Sequence, residues 1–220
     1  MLQHLDIVVT FANTVNKKRK MSVSQRKLRQ QQELKNQIID CSRIIVNEEG
    51  WSALSIRRIA DAIEYSVPVI YKHFENKEAI TSFFVNEGFE LLLLKIQTHI
   101  NSAKTASEKL HALAKGYHEF ALTHPKHYEV MFGIGIPTCE HAQSNETIKN
   151  LSELFRRLIA ELVQESGKDT IDQLLKFKTL WSILHGVIAF ELLALDKKNE
   201  KCPGLILEDA VDGFITSILK

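Results

Sequence analysis

The chain is poor in the residues that would place it outside the ordinary globular class. Its three cysteines, Cys41, Cys139 and Cys202, are far apart and odd in number. That argues against a disulfide framework and fits a reducing cytoplasm. Four prolines and nine glycines in 220 residues rule out collagen-like and Pro/Gly-rich disordered chains. No stretch reaches the roughly 18 apolar residues of a membrane span. The apolar run at residues 7–12 follows Asp6 with no basic segment before it, which makes it a poor signal peptide. A nucleophile elbow, a phosphate-binding glycine loop, HExxH and a paired-carboxylate pattern are all missing, so no enzyme class is indicated. Internal repeats and strand alternation are missing too.

What is present is 45% hydrophobic and 25% charged residues, enough apolar mass for a sizeable core. The net charge of +1 is unevenly spread. Residues 1–80 hold 13 Lys/Arg and 9 Asp/Glu, and residues 81–220 hold 15 and 18. A mildly basic head on an acidic body suits a small nucleic-acid-binding domain joined to a second domain with other work. Residues 1–23 carry no helical stripe and end near Lys17-Lys18-Arg19-Lys20 and Met21. They read as a disordered tail, as a basic arm adding phosphate or minor-groove contacts, or as the product of a start codon placed upstream of Met21.

Helical periodicity then runs through the rest of the chain. Leu34, Ile38, Cys41 and Ile45, widened by Ile39 and Ile44, mark a helix over 24–49 that Gly50 ends. Ser55 can cap a short helix over 56–63, and Ser66 another over 67–74 with Pro68 in its first turn. Asn76 can cap a long helix over 77–102. Further helices are expected over 107–123, 125–132, 145–165, 169–195 and 205–219. The expected fold is all-α, with a helix-turn-helix domain over 24–80 and a helical domain over 81–220.

Two short capped helices joined by a three-residue turn make a helix-turn-helix. Ile56, Ile59, Ala60 and Ile63 form the inward face of the first. Ile70 and Phe74 hold the second, which is too short to stand alone. Its other face offers Val67, Val69, Tyr71, Lys72 and His73. These supply apolar contacts for thymine methyls, hydroxyl and imidazole donors and one cation, a set that suits a major groove.

The run Gly50-Trp51-Ser52-Ala53-Leu54-Ser55-Ile56-Arg57-Arg58-Ile59-Ala60, then Ser66 to Phe74, then Asn76-Lys77-Glu78, closely resembles the DNA-binding domain of TetR-family transcriptional regulators. The resemblance covers about residues 28–80. It implies that Tyr71, Lys77 and His73 meet backbone phosphates, that Arg57 meets the groove or a phosphate, and that Val67, Pro68 and Val69 approach bases. With Lys72 and the capping Ser55 and Ser66, these form the expected DNA-binding set. Lys77 lies in the first turn of its helix, where the N–H groups and the positive dipole end also attract phosphate. One position departs from the family: Glu64 stands where a glycine is usual in the turn. A left-handed conformation there costs a non-glycine residue about 1–2 kcal/mol.

In the second domain, Trp181-x-x-x-His185-Gly186 and Tyr128-x-x-Met131-Phe132-Gly133 resemble the WHG-type C-terminal domain of some TetR-family proteins. The resemblance implies a small-molecule pocket and pairing of the last two helices with a second subunit. The expected pocket residues are Phe120, Tyr128, Met131, Phe132, Trp181 and His185, with His185 as a polar anchor. The stripe Trp181, His185, Ile188 and Leu192, and the final-helix face of Leu207, Ala210, Val211, Phe214, Ile215 and Ile218, fit a two-fold four-helix bundle. The alternative is that they complete the core of a monomer. His124, His127, Cys139 and His141 form a weaker set of zinc ligand types.

These features predict a homodimeric cytoplasmic repressor that needs no cofactor and has no membrane contact. It would bind a pseudo-palindromic double-stranded DNA operator and be released by a small-molecule effector. A metal-responsive or a ligand-independent DNA-binding regulator is the alternative.

Overall fold

The structure is a computed structural model, and it describes residues 22–132, 146–168, 170–194 and 204–220. Among them lie nine α-helices, one 3-10 turn and no strand. The chain divides into two compact units, Met1–Glu75 and Asn76–Lys220. The basic run at 17–20, Cys139 and His141 lie outside the described residues.

In the first unit, α1 (Val23–Glu49) begins at a capping box: the Ser22 hydroxyl accepts from Gln25 N–H at 3.1 Å, and the Gln25 side chain accepts from Ser22 N–H at 3.0 Å. It ends at Gly50, whose φ of 85° suits glycine. A 3-10 turn (Trp51–Ala53) leads to α2 (Ile56–Ala62) and α3 (Val67–Tyr71). Ile38, Ile45, Ile59, Ala60, Ile70 and Phe74 are buried, as their spacing predicts. Ile44 is not; it is exposed, so the stripe of α1 is narrower than expected. Trp51 is only half-buried. Lys35 Nζ lies 5.7 Å from the Phe74 ring centre, tying α1 to the chain after α3.

The second unit holds α4 (Lys77–Ile100), α5 (Ala106–Thr123), α6 (Pro125–Phe132), α7 (Glu146–Ser166), α8 (Gln173–Ala194) and α9 (Leu205–Leu219). Asn76 caps α4 through Ala79 N–H at 2.7 Å. A capping box of Thr105 and Glu108 starts α5. The α4–α5 crossing is very close, because a Cβ on Gly116 would sit 2.8 Å from Ile96 Cα. Leu110, Leu113, Ala114, Tyr117 and Phe120 of α5 are all buried, as predicted, among residues of α4, α7, α8 and α9.

The last two helices correct one expectation. Leu207, Val211, Phe214, Ile215 and Ile218 of α9, and Ile188 of α8, are buried in this unit's own core, with Trp181, Leu192 and Ala210 packed against it. The inward stripes therefore complete the unit rather than face a second copy. The outer sides carry Ser182, Gly186, Ala189 and Phe190 on α8, and Leu205, Ile206 and Gly213 on α9, all exposed. A Cβ at Gly186 or at Gly213 would meet nothing within 4 Å. Among the described residues no helix is long and apolar enough to cross a membrane.

Candidate functional site

The α2–α3 turn is a Schellman motif: Tyr65 N–H donates to Ala60 carbonyl at 2.9 Å and Glu64 N–H to Asp61 carbonyl at 3.4 Å. This geometry requires a left-handed residue between the helices, and Glu64 supplies it at φ 59°. The turn keeps the shape a glycine would give and accepts the strain. Ser55 caps α2 through Arg58 N–H at 3.3 Å. Ser66 holds the N-cap position of α3 but makes no capping bond. Helix α3 ends at Tyr71, earlier than predicted, and a looser turn continues it: His73 and Phe74 N–H both donate to Ile70 carbonyl.

Ile70 is wholly buried, and this one anchor presents the rest of α3 outward. Tyr71 is 51% exposed. Lys72, Pro68, Ser66, Ser55 and Arg57 are exposed, and Val67, Val69 and His73 are half-buried. Lys77 opens α4 in the second unit. Arg58 is engaged elsewhere: its guanidinium pairs with both carboxylate oxygens of Glu49 at the end of α1. That pair lowers the Glu49 pKa and holds α2 against α1.

The second unit has an aromatic centre. His185 on α8 lies between two tyrosines: Nδ1 is 2.7 Å from the Tyr128 hydroxyl of α6, and Nε2 is 3.1 Å from the Tyr117 hydroxyl of α5. Burial pushes the His185 pKa down to about 4 and raises both tyrosines. The ring is therefore neutral near pH 7, with one N–H to donate and one bare nitrogen to accept. Phe132 lies 4.5 Å and Trp181 5.0 Å from the His185 ring, centre to centre. Phe155 and Phe177 extend the cluster beyond Trp181.

Four of the six expected pocket residues thus meet: Tyr128, Phe132, Trp181 and His185. Phe120 is buried elsewhere in the core, stacked on His124 at 5.3 Å. Met131 turns toward α4, where a Cβ on Gly88 would run into its sulfur. Tyr117, Phe155 and Phe177 complete the cluster without being predicted from the sequence. For Tyr117 a signal exists: a tyrosine in an otherwise apolar stripe needs a partner for its hydroxyl.

His118 and Glu191 form a second polar link between α5 and α8, at 2.5 Å and mostly buried. The other Glu191 oxygen, Oε1, is buried without a partner. Of the zinc set, His127 Nε2 pairs with Glu87 at 2.8 Å, and His124 Nδ1 meets Thr123 Oγ1 at 2.9 Å. No group of three metal-ligand side chains forms among the described residues.

Residues 38–82 match the family described as bacterial regulatory proteins, tetR family, and residues 110–195 match a tetracyclin repressor-like C-terminal domain. The latter description is broader than the WHG subgroup suggested by Trp181, His185 and Gly186. No curated protein matches the sequence. Solved structures share the fold. A Rhodococcus sp. RHA1 protein of unknown function is 20% identical, with a TM-score of 0.70 over 85% of this chain and 96% of its own. The fatty acid degradation regulator FadR of Bacillus halodurans is 23% identical, with a TM-score of 0.60 over 84% and 94%. FadR of Bacillus subtilis, solved with stearoyl-CoA, is 19% identical, with a TM-score of 0.62 over 84% and 97%.

Proposed function

Because this chain belongs to the TetR family of bacterial regulatory proteins, we propose that it is a homodimeric repressor released from a pseudo-palindromic operator by a small molecule. The observation that carries the reading is the presentation of α3. A five-residue helix, anchored by the buried Ile70, turns Tyr71 and Lys72 outward with Val67, Pro68 and Val69 in its first turn. Such a helix reads few bases, so a dimer would place two of them in successive major grooves, with centres roughly 34–36 Å apart or a multiple of it.

The DNA-binding set is Ser55, Arg57, Ser66, Val67, Pro68, Val69, Tyr71, Lys72, His73 and Lys77. Exposed apolar and small side chains on the outer faces of α8 and α9 support a second copy there, with Phe190 at 52% exposure and Leu205 at 56%. The effector would lie at the aromatic centre, against Tyr128, Phe132, Trp181 and His185. Two structural relatives are named for fatty acid degradation or carry stearoyl-CoA, which supports ligand response in this fold. An effector shifts operator affinity only by its unequal affinity for the bound and released states.

The experiment is a random-site DNA selection with full-length protein, followed by titration against the DNA flanking its own gene. Enrichment of a palindromic site bound by two chains is the expected result. Failure to enrich any sequence would overturn the reading.

A further inference from the structure

The centre of the second unit is polar but carries no charge, and this restricts what it can hold. The inference rests on the ligand-responsive reading above. His185, Tyr117 and Tyr128 bring three hydrogens, one imidazole N–H and two phenolic O–H. The two hydroxyls each meet a His185 nitrogen. These two contacts use two of the three hydrogens, so one phenolic O–H and the phenolic lone pairs are the unused capacity. The group can therefore both accept a hydrogen bond from a ligand hydroxyl and donate one to it. It offers no cation to a carboxylate or a phosphate, and burying an unpaired anion beside it would be costly.

The surroundings are flat and aromatic. Tyr117 and Phe155 are wholly buried, whereas Phe132, Phe177, Trp181 and His185 each keep some exposed surface. These partly open rings stand 4.5 to 6.0 Å from their neighbours, centre to centre. A planar ring laid on them gains both apolar burial and edge-to-face contacts. Arg156 sits over the Phe177 ring at 5.7 Å, but it is exposed and its charge is shared with water.

We propose that the effector is an uncharged phenol or aromatic alcohol, its ring lying on Phe132, Phe177 and Trp181 and its hydroxyl donating to the group formed by Tyr117, His185 and Tyr128.

The test uses full-length protein and isothermal titration near neutral pH with 2-naphthol, 2-naphthoate, naphthalene and stearoyl-CoA. The expected result is that 2-naphthol binds at least about tenfold more tightly than 2-naphthoate or stearoyl-CoA, because a site built from hydrogen-bonding groups rejects the wrong head group. Tyr128→Phe should weaken 2-naphthol about three- to tenfold and leave naphthalene unchanged, as loss of one hydrogen bond predicts. Tyr117→Phe provides the same comparison if Tyr128→Phe fails to fold. Equal or tighter binding of 2-naphthoate or stearoyl-CoA, no binding of 2-naphthol, or equal losses for naphthalene and 2-naphthol would each overturn the proposal. Operator binding by the same preparation separates the two readings. If it persists, only the effector class has failed; if no DNA is bound, the regulator reading has failed.

Discussion

The Tyr128 hydroxyl and His185 Nδ1 meet at 2.7 Å, joining α6 to α8 across 57 positions of sequence. The bond to Tyr117 holds the other side of the ring, and burial there keeps the imidazole neutral and makes folding sensitive to acid. The folded pKa is about 4, against an ordinary value of 6.5. Between these values the unfolded chain takes up a proton that the folded chain refuses. Stability is therefore complete above about pH 6.5 and falls as pH drops toward 4, by roughly 2–3 kcal/mol for this one group. Urea unfolding across that range should show His185→Gln losing less stability than the parent. Parallel curves would contradict the assignment.

Glu64 occupies a left-handed position with φ 59°. Glu64→Gly should relieve that strain at the cost of some unfolded-state entropy, for a net gain of about 0.5–1 kcal/mol. Thermal unfolding measures it. A fall in midpoint would mean that the Glu64 side chain stabilises the turn by more than its backbone costs.

Gly116 allows α5 to lie directly on Ile96 of α4. Gly116→Ala places a methyl against backbone, which cannot rotate away. The expected cost is about 1–3 kcal/mol, despite the better helix propensity of alanine. Gly186→Ala, where the space is open, should cost nothing or stabilise the isolated chain. Chemical denaturation of the pair separates packing from propensity.

Tyr71→Phe and Lys77→Ala should both weaken operator binding, each on the order of tenfold, as hydrogen bonds to charged phosphates disappear. Only the lysine carries charge, so only Lys77→Ala should reduce the salt slope, by about one for each phosphate it neutralises. Anisotropy titrations at several salt concentrations distinguish them. Identical slopes would place Lys77 away from the DNA.

Phe190→Glu adds a charge to the exposed side of α8 without touching the buried core. Light scattering should report a single chain for this variant and two for the parent, with little change in helix content. A parent that is already monomeric would remove the outer faces of α8 and α9 as the subunit contact.

The fold is largely legible in the sequence because its signals are local. Helix α6 begins at Pro125 and α9 spans Leu205–Leu219, both as periodicity predicts. The start of α8 is less so. The pattern begins the helix at 169, whereas it starts at Gln173, where Asp172 accepts from Leu174 and Leu175 N–H. The orientation of α8 is not legible. Spacing groups Trp181, His185 and Ile188 on one face, but it does not say whether a neighbouring helix or a second chain covers them. The site divides in the same way. The outward placement of Tyr71 and Lys72 can be read from the motif, because the helix-turn-helix is a local device. The partners of His185 come from α5 and α6, and a pairing across 57 or 68 positions leaves no trace in spacing.

The chain has two tryptophans, and they fall in different units: Trp51 in the 3-10 turn before α2, and Trp181 in the aromatic centre. Each unit thus carries its own built-in fluorophore. Removing one at a time yields two single-emitter proteins that differ in which half of the molecule they report. One follows the environment of the helix-turn-helix, the other the quenching of an indole beside His185. Signal from the second that changes while the first stays still would mean that the two halves respond separately, with no label attached and no chemistry performed on the chain.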